Sequence, residues 1–212
     1  MNNAAITAVE NEWIEQVARL VTEAGILNED VEAHVRAAFS KVDRRPFIDA
    51  AFHSQAFQDV DLPIGNDQLL TRPSLLIRMA GLINLEKRMR ILVAGAGSGY
   101  LCAVLDAAGA RVFGVEQVAA LAQGARKALD SLGHHGVVIH RGNAVKGWSE
   151  LAPFDAIIVT FPVSDDLGLP ISQLSMNGSL VVPVVSERGA HLTLWKRTPE
   201  SYKRTVFEEV LV

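Results

Sequence analysis

The chain has 212 residues, enough for one α/β unit with a sizeable core and too few for two full domains of ordinary size. Lysine and arginine total 20 against 24 for aspartate and glutamate, and the formal net charge of -4 provides no broad basic field for a nucleic-acid backbone. The only cysteine, Cys102, excludes an internal disulfide framework and a cysteine zinc site, and we expect it to fill core space.

The first predicted element is an amphipathic helix. Apolar residues recur at three- and four-residue spacing from Ile6 to about Ala24, which is the period of an α-helix. The N-terminal stretch has no basic start and carries early glutamates, and no apolar run approaches the ~20 residues that a membrane helix needs. We therefore expect a cytoplasmic protein that does not bind membranes.

The next part of the chain is less regular. A short helix is predicted from Glu29 to Phe39, and residues 41–73 then show no sustained period, so we expect them to be irregular and partly extended. Pro73 suits the first turn of a helix that runs through Leu85, where its missing N–H costs little. We interpret residues 1–88 as a helical and loop extension that packs on the same domain.

From residue 89 onward, short β-rich runs alternate with helical runs, and this predicts a mostly parallel sheet with helices on both faces. We expect helices between the first four strands. The runs "HLTLWKR" and "RTVFEEVLV" follow without a helix between them and predict antiparallel strands at one edge. The fold class is therefore α/β, with a Rossmann-like doubly wound sheet in residues 89–212. The predicted parallel strands are Arg90 to Ala94, Ala110 to Glu116, Gly136 to His140, Asp155 to Thr160 and Ser179 to Val184.

The residues that follow each predicted strand are the candidates for ligand binding, because ligands of such sheets bind at the carboxyl ends of the strands. The turn "GAGSGY" lies between a predicted strand and helix, but its third glycine follows the second by two residues, so it matches the nicotinamide fingerprint imperfectly. We expect four sets to line one rim: Gly95 to Gly99, Glu116 with Gln117, Gly142 with Asn143, and Thr160 with Phe161.

Two rim residues each allow two interpretations. Glu116 could accept hydrogen bonds from both hydroxyls of a ribose, in NAD or in S-adenosylmethionine, or it could be a solvated acid at a strand end. Asn143 could meet an adenine edge through its side-chain amide, or it could be a turn residue after glycine.

An ordered set of motifs from about Val42 to Val185 resembles the protein-L-isoaspartate O-methyltransferase family. The turn "GAGSGY" is similar to its "GTGSGY", "VFGVE" to its second strand, "RGNAVKGW" to its "GDGxxGW", and "APFDAIIVT" to its fourth strand. Further matches precede the glycine turn: Val42, Arg44 and Phe47 in "V-x-R-x-x-F", Asp59 and Leu62 to Gly65 in "D-x-x-L-P-I-G", and Gln68, Thr71 and Pro73 in the following loop.

The resemblance implies that S-adenosylmethionine is the cofactor and that the acceptor is the free carboxylate of an isoaspartyl residue in a damaged protein or peptide. Such a carboxylate, with a pKa near ~4, is already ionised at pH 7 and needs no general base. Thr71 takes the position of the family's hydroxyl close to the reacting groups. The expected cofactor contacts are Gly95, Ala96, Gly97, Ser98, Gly99, Glu116, Gln117, Asn143 and Ala144.

The sequence departs from the family pattern at several of these positions. Val93 and Asn143 stand where the family usually has acids, the loop residues Asn66, Asp67 and Leu69 are unlike its "GxGQTISxP", and Phe161 and Pro162 replace small residues.

These departures keep other functions open. The alternatives are a methyltransferase with another acceptor, a binding or regulatory module that holds the cofactor weakly, and an NAD-linked oxidoreductase. The last lacks a tyrosine and lysine at catalytic spacing, since Tyr202 and Lys203 are adjacent. The histidines show no zinc-like spacing, so we expect no metal site.

Overall fold

A computed structural model of the protein describes residues 3–26, 28–164, 168–187 and 189–209. Its helices are α1 (Asn3–Glu23), α2 (Glu29–Lys41), α3 (Pro73–Leu82), α4 (Tyr100–Ala107) and α5 (Ala119–Ser131). Its strands are β1 (Leu62–Gly65), β2 (Gln68–Leu70), β3 (Arg90–Ala94), β4 (Arg111–Glu116), β5 (Val138–Arg141), β6 (Phe154–Val159), β7 (Leu174–Ser186), β8 (Gly189–Arg197) and β9 (Tyr202–Glu209).

The main sheet has seven strands in the order β5-β4-β3-β6-β7-β8-β9. Strands β3 to β7 pair in parallel, while β8 pairs antiparallel with both β7 and β9. The predicted α/β sheet with an antiparallel C-terminal edge is thus confirmed. Because β3 pairs with β4 on one side and β6 on the other, the strand order reverses at β3, and a crevice is expected beyond its carboxyl end.

The prediction of a helix between β5 and β6 is wrong. Two short 3-10 turns, Ala144–Lys146 and Ser149–Leu151, make this connection. Gly147 separates them with φ 66° and ψ -144°, a conformation that no helix continues through. The connection therefore runs as a compact loop past the carboxyl end of the sheet.

A β-hairpin lies within the segment predicted to be irregular. Strands β1 and β2 pair antiparallel, and the two residues between them, Asn66 and Asp67, have φ values of 54° and 57°. Positive φ at both positions is the geometry of a tight two-residue hairpin turn, which asparagine and aspartate adopt at little cost. Leu62 and Leu70 pair across the hairpin and are buried, so its other face points away from the core.

The N-terminal segment and the sheet share a hydrophobic core. The ring of Tyr100 on α4 meets Phe39 of α2 and Phe47 edge-on, with ring centroids 6.4 and 5.6 Å apart. The indole N–H of Trp13 donates to the carbonyl of Phe39 at 3.0 Å, which ties α1 to α2. Cys102 is fully buried on α4, and this burial raises the pKa of its thiol to about 12, as expected of a core residue.

Arg44 is a fully buried charged residue that organises the segment after α2. Its guanidinium donates to four main-chain carbonyls: those of Ala56, Gln58, Val60 and Thr71, at 3.1 to 3.4 Å. These acceptors lie on both sides of the hairpin, because Val60 precedes β1 and Thr71 follows β2. One side chain thus holds the base of the hairpin against the core.

In the part of the chain that the structure describes, no helix combines the length and apolar character required to cross a membrane.

We expect Phe39→Ala to lower the free energy of unfolding by ~3–5 kcal/mol, because it empties a fully buried site between α2 and α4. Thermal and urea unfolding of the purified chain measure this. Ile14→Ala is the control, since Ile14 lies on α1 but is 47% exposed and should change stability by no more than ~0.5 kcal/mol. Equal effects of the two changes would show that the N-terminal helices do not share the core.

Candidate functional site

The glycine turn between β3 and α4 allows neighbouring groups to approach its main chain closely. Gly95 and Gly97 have φ values of 84° and 55°, which L side chains rarely adopt. A Cβ atom at Gly95 would lie 2.6 Å from Oγ1 of Thr160 and 2.7 Å from the ring of Phe161. The Thr160 hydroxyl donates to the Gly95 carbonyl at 2.5 Å, so the loop after β6 and the turn after β3 form one surface.

Glu116 connects this turn to the next helix. Its Oε2 accepts a hydrogen bond from the Gly97 N–H at 2.8 Å, and its Oε1 accepts one from the Val118 N–H at 2.8 Å. A carboxylate has about four lone-pair positions, so each oxygen keeps capacity for a further donor. The side chain is only 5% exposed, and what it exposes faces the crevice.

The crevice at the carboxyl ends of the strands contains a cavity of about 210 Å³. Its walls come from the hairpin, the glycine turn, the end of β4, the first turn of α5, the loop after β5 and the loop after β6. The lining residues are Ile64, Gln68, Leu69, Gly95, Gly97, Glu116, Gln117, Leu121, Ala144, Val145, Thr160 and Phe161.

The cavity brings together part of the site predicted from the sequence. The predicted cofactor contacts that line it are Gly95, Gly97, Glu116, Gln117 and Ala144. Ala96 and Gly99 are buried beneath the turn, and Ser98 faces a neighbouring cavity of about 360 Å³ between the hairpin and α5. The binding roles of all nine predicted cofactor contacts stay predictions.

Asn143 and Thr71 lie beside the cavity, and neither is among its described lining residues. The Asn143 side chain accepts a hydrogen bond from the Val145 N–H at 3.0 Å and so caps the 3-10 turn that begins at Ala144. Thr71 follows β2, and its carbonyl accepts from Arg44 at 3.4 Å. The adenine contact of Asn143 and the catalytic role of Thr71 stay predictions.

Leu121 and Val145 line the cavity but were not among the predicted site residues. Both are apolar, so their residue type does not indicate a binding role. Their positions do indicate one, because Leu121 lies in the first turn of the helix after β4 and Val145 in the loop after β5, where this kind of sheet binds its ligands.

Val93, two residues before Gly95, is fully buried in the core that β3 shares with the N-terminal helices. An ionised carboxylate in such apolar surroundings costs several kcal/mol, roughly, unless a partner is supplied. The turn therefore presents its main chain and Glu116 to the cavity, without an acid at the position of Val93.

The arrangement suits a nucleoside better than a pyrophosphate. The free lone pairs of Glu116 can accept from both hydroxyls of a ribose, and Leu121, Ala144 and Val145 offer apolar contacts for a flat base. A phosphate bound at the turn would instead compete with the Glu116 carboxylate for the Gly97 N–H. The residues therefore fit the adenosine part of S-adenosylmethionine.

The described residues offer no ligand set for a catalytic metal ion. Within 3–26, 28–164, 168–187 and 189–209, no three histidine, cysteine, aspartate or glutamate side chains converge as ligands for an ion.

Comparison with known proteins gives a consistent result. A model of the family "Protein-L-isoaspartate(D-aspartate) O-methyltransferase (PCMT)" matches residues 13–211. Protein-L-isoaspartate O-methyltransferase 2 of Geotalea uraniireducens is 42% identical over 147 residues, which cover 69% of this chain and 68% of that protein. Protein-L-isoaspartate O-methyltransferase of Pseudomonas aeruginosa is 36% identical over 200 residues, which cover 92% of each chain.

Solved structures share the fold. One protein-L-isoaspartate O-methyltransferase superimposes with a TM-score of 0.76 at 23% identity, over 94% of this chain and 65% of the other. A structure from Plasmodium falciparum, described as a PCMT in complex with S-adenosyl-L-homocysteine, gives a TM-score of 0.74 at 21% identity, over 92% of this chain and 94% of the other.

We expect Gly95→Ala to lower the free energy of unfolding by ~1–3 kcal/mol, because alanine is strained at this positive φ and its Cβ meets Thr160 and Phe161. Gly124→Ala is the matched control. Gly124 lies in α5 with open space around it, so alanine should stabilise the helix by ~0.5–1 kcal/mol. Urea unfolding measures both, and changes of the same sign would contradict the close approach at Gly95.

Proposed function

Since the chain belongs to the protein-L-isoaspartate(D-aspartate) O-methyltransferase family, we propose that it transfers a methyl group from S-adenosylmethionine to the free carboxylate of L-isoaspartyl residues. The substrates are damaged proteins or peptides, and the reaction serves protein repair. The observation that carries this proposal is the Glu116 carboxylate. It accepts from two main-chain N–H groups and lines a cavity together with Gly95 and Gly97.

The residues around the cavity divide into two groups. Glu116 and Gln117 would hold the ribose of the cofactor, and Leu121, Ala144 and Val145 would contact its adenine, since all five line the cavity. The hairpin residues Gln68 and Leu69 and the residues Thr160 and Phe161 after β6 border the remaining part, where the acceptor would enter. When bound, S-adenosylmethionine supplies a methyl group on a positively charged sulfur.

The chain's own contribution to the reaction is positioning. The acceptor carboxylate is ionised at neutral pH, so no residue has to remove a proton. Orienting two reactants in a site from which water is excluded is worth roughly 7–11 kcal/mol of barrier. The hairpin and the loop after β6 supply the walls for this, and both are anchored, by Arg44 and by the Thr160 hydroxyl respectively.

Thr71 is the proposed catalytic residue, with a hydroxyl that donates to the acceptor carboxylate. Its main chain is fixed by Arg44 and by the start of α3, where the Arg72 N–H donates to Asp61 at 2.7 Å. The side chain is partly buried at the end of the hairpin. A hydroxyl at this point restrains the acceptor without titrating.

The proposal includes the organisation of the chain. Residues 1–88 supply the hairpin and Thr71, and residues 89–212 supply the cofactor-binding surface, so we treat the two segments as one working unit. A cytoplasmic location and the absence of nucleic-acid partners stay predictions from the sequence.

We expect Glu116→Gln to weaken binding of S-adenosylmethionine by ~1–3 kcal/mol, because the amide has one acceptor oxygen for two N–H groups and two ribose hydroxyls. Isothermal titration with the cofactor measures this, and methyl transfer to an isoaspartyl peptide and its aspartyl twin measures the activity. Glu150→Gln makes the same charge change at an exposed site and should behave as wild type. Unchanged affinity in Glu116→Gln would leave Glu116 with a structural role only.

We expect Thr71→Val to lower kcat for an isoaspartyl peptide by about 10-fold or more, since it removes a hydrogen bond to a charged group and keeps the shape of the side chain. Thr71→Ser retains the hydroxyl and should retain most of the activity. The KM for S-adenosylmethionine should stay the same in both variants. A Thr71→Val enzyme with wild-type kcat would remove Thr71 from the mechanism.

A further inference from the structure

We propose that Leu69 and Phe161 make this enzyme selective for isoaspartyl sites that carry an apolar side chain on an adjacent residue. The inference rests on the proposed function, because it concerns the entrance to the same cavity. It assigns to these two side chains the recognition of the substrate next to the acceptor carboxylate.

Leu69 is presented to solvent at the cavity. It lines the cavity and is 60% exposed, although leucine is usually buried. It pairs across the hairpin with Pro63, which is also exposed, so this face of the hairpin is apolar at the entrance.

The hairpin holds Leu69 in a defined place. Leu62 and Leu70 anchor the opposite face in the core, and Arg44 binds the carbonyls of Val60 and Thr71 on either side. The anchored backbone of the hairpin loses little further freedom when a ligand covers Leu69, so the ordering cost of binding is limited to the side chain itself.

Phe161 provides a second apolar surface of the same cavity. Its ring lies against Gly95, where a Cβ atom would be 2.7 Å from Cδ1, and the backbone beside it is tied to the glycine turn by Thr160. The ring therefore stands at the junction of the glycine turn and the acceptor entrance, and it too lines the cavity.

One polar side chain at the entrance is already engaged within the hairpin. The Gln68 amide donates to the carbonyls of Asn66 and Asp67, at 3.4 and 3.3 Å, within the hairpin turn. Among the described residues that line the cavity, Glu116 is the only charged one, and it accepts from two main-chain N–H groups. A charged neighbour of the isoaspartyl residue thus finds no unpartnered opposite charge among these lining residues, whereas an apolar neighbour covers Leu69 and Phe161.

The test compares peptides that differ only in the residues next to isoaspartate, with leucine, serine or lysine placed on each side in turn. We expect kcat/KM to be about 10-fold higher for leucine than for serine or lysine on at least one side. In Leu69→Ala the preference should fall to about 3-fold or less, with unchanged KM for S-adenosylmethionine. Val206→Ala is the control, since Val206 is 51% exposed on the distant strand β9.

Each outcome decides a different statement. Equal kcat/KM for all peptides, or a preference that Leu69→Ala leaves intact, would overturn this inference while the methyltransferase activity stands. No transfer to any isoaspartyl peptide by an enzyme that binds the cofactor would overturn the proposed acceptor and this inference with it. Loss of the leucine preference in Leu69→Ala but not in Val206→Ala supports the inference.

Discussion

The buried guanidinium of Arg44 holds together the segment that covers the cavity. Burial lowers the pKa of this group, and the nearby phenol of Tyr100 and the carboxylates of Asp59 and Asp61 act in the opposite direction. An arginine in such a place keeps its charge, since its ordinary pKa lies so far above neutrality. The charge is accommodated by four carbonyl oxygens and by the face of Tyr100, 5.7 Å from the guanidinium carbon.

The consequence of this arrangement is that residues far apart in sequence act as one wall. Arg44 binds the carbonyls of Val60 and Thr71, one on each side of the hairpin. Asp59 accepts from the Ser74 N–H at 2.8 Å, and Asp61 accepts from the Arg72 N–H at 2.7 Å. The hairpin and the start of α3 are therefore joined by bonds from three side chains, Arg44, Asp59 and Asp61, to the main chain, and these bonds do not involve the side chains that line the cavity. Such a frame allows Leu69 and its neighbours to vary while Thr71 stays in place.

The sequence predicted all five parallel strands, and the structure places β3 from Arg90 to Ala94 as expected, because this strand is a short, continuous apolar run. The predicted bounds were less accurate where the strand carries polar residues: β7 begins at Leu174, five residues before the predicted Ser179. It did not predict the hairpin, since three- and four-residue strands have no visible period and their turn is made by two αL residues, Asn66 and Asp67. At the site, Glu116 was recognisable from the sequence by its charge and its place at the end of β4. Leu121 and Val145 were not, because the sequence does not distinguish an apolar residue that lines a cavity from one that lies in the core.

The choice of ligand follows from how the glycine turn uses its N–H groups. In dinucleotide-binding folds, the N–H groups of such a turn and the following helix are left for a pyrophosphate. Here the Gly97 N–H is bound to Glu116, and the N–H groups of Gly95 and Ala96 donate to the Val115 carbonyl at 2.9 and 3.0 Å. The turn offers these groups to the protein itself, so what it presents is a close, neutral main-chain surface beside a carboxylate. A nucleoside joined to a cationic sulfur is complementary to that surface, and a doubly charged pyrophosphate is not.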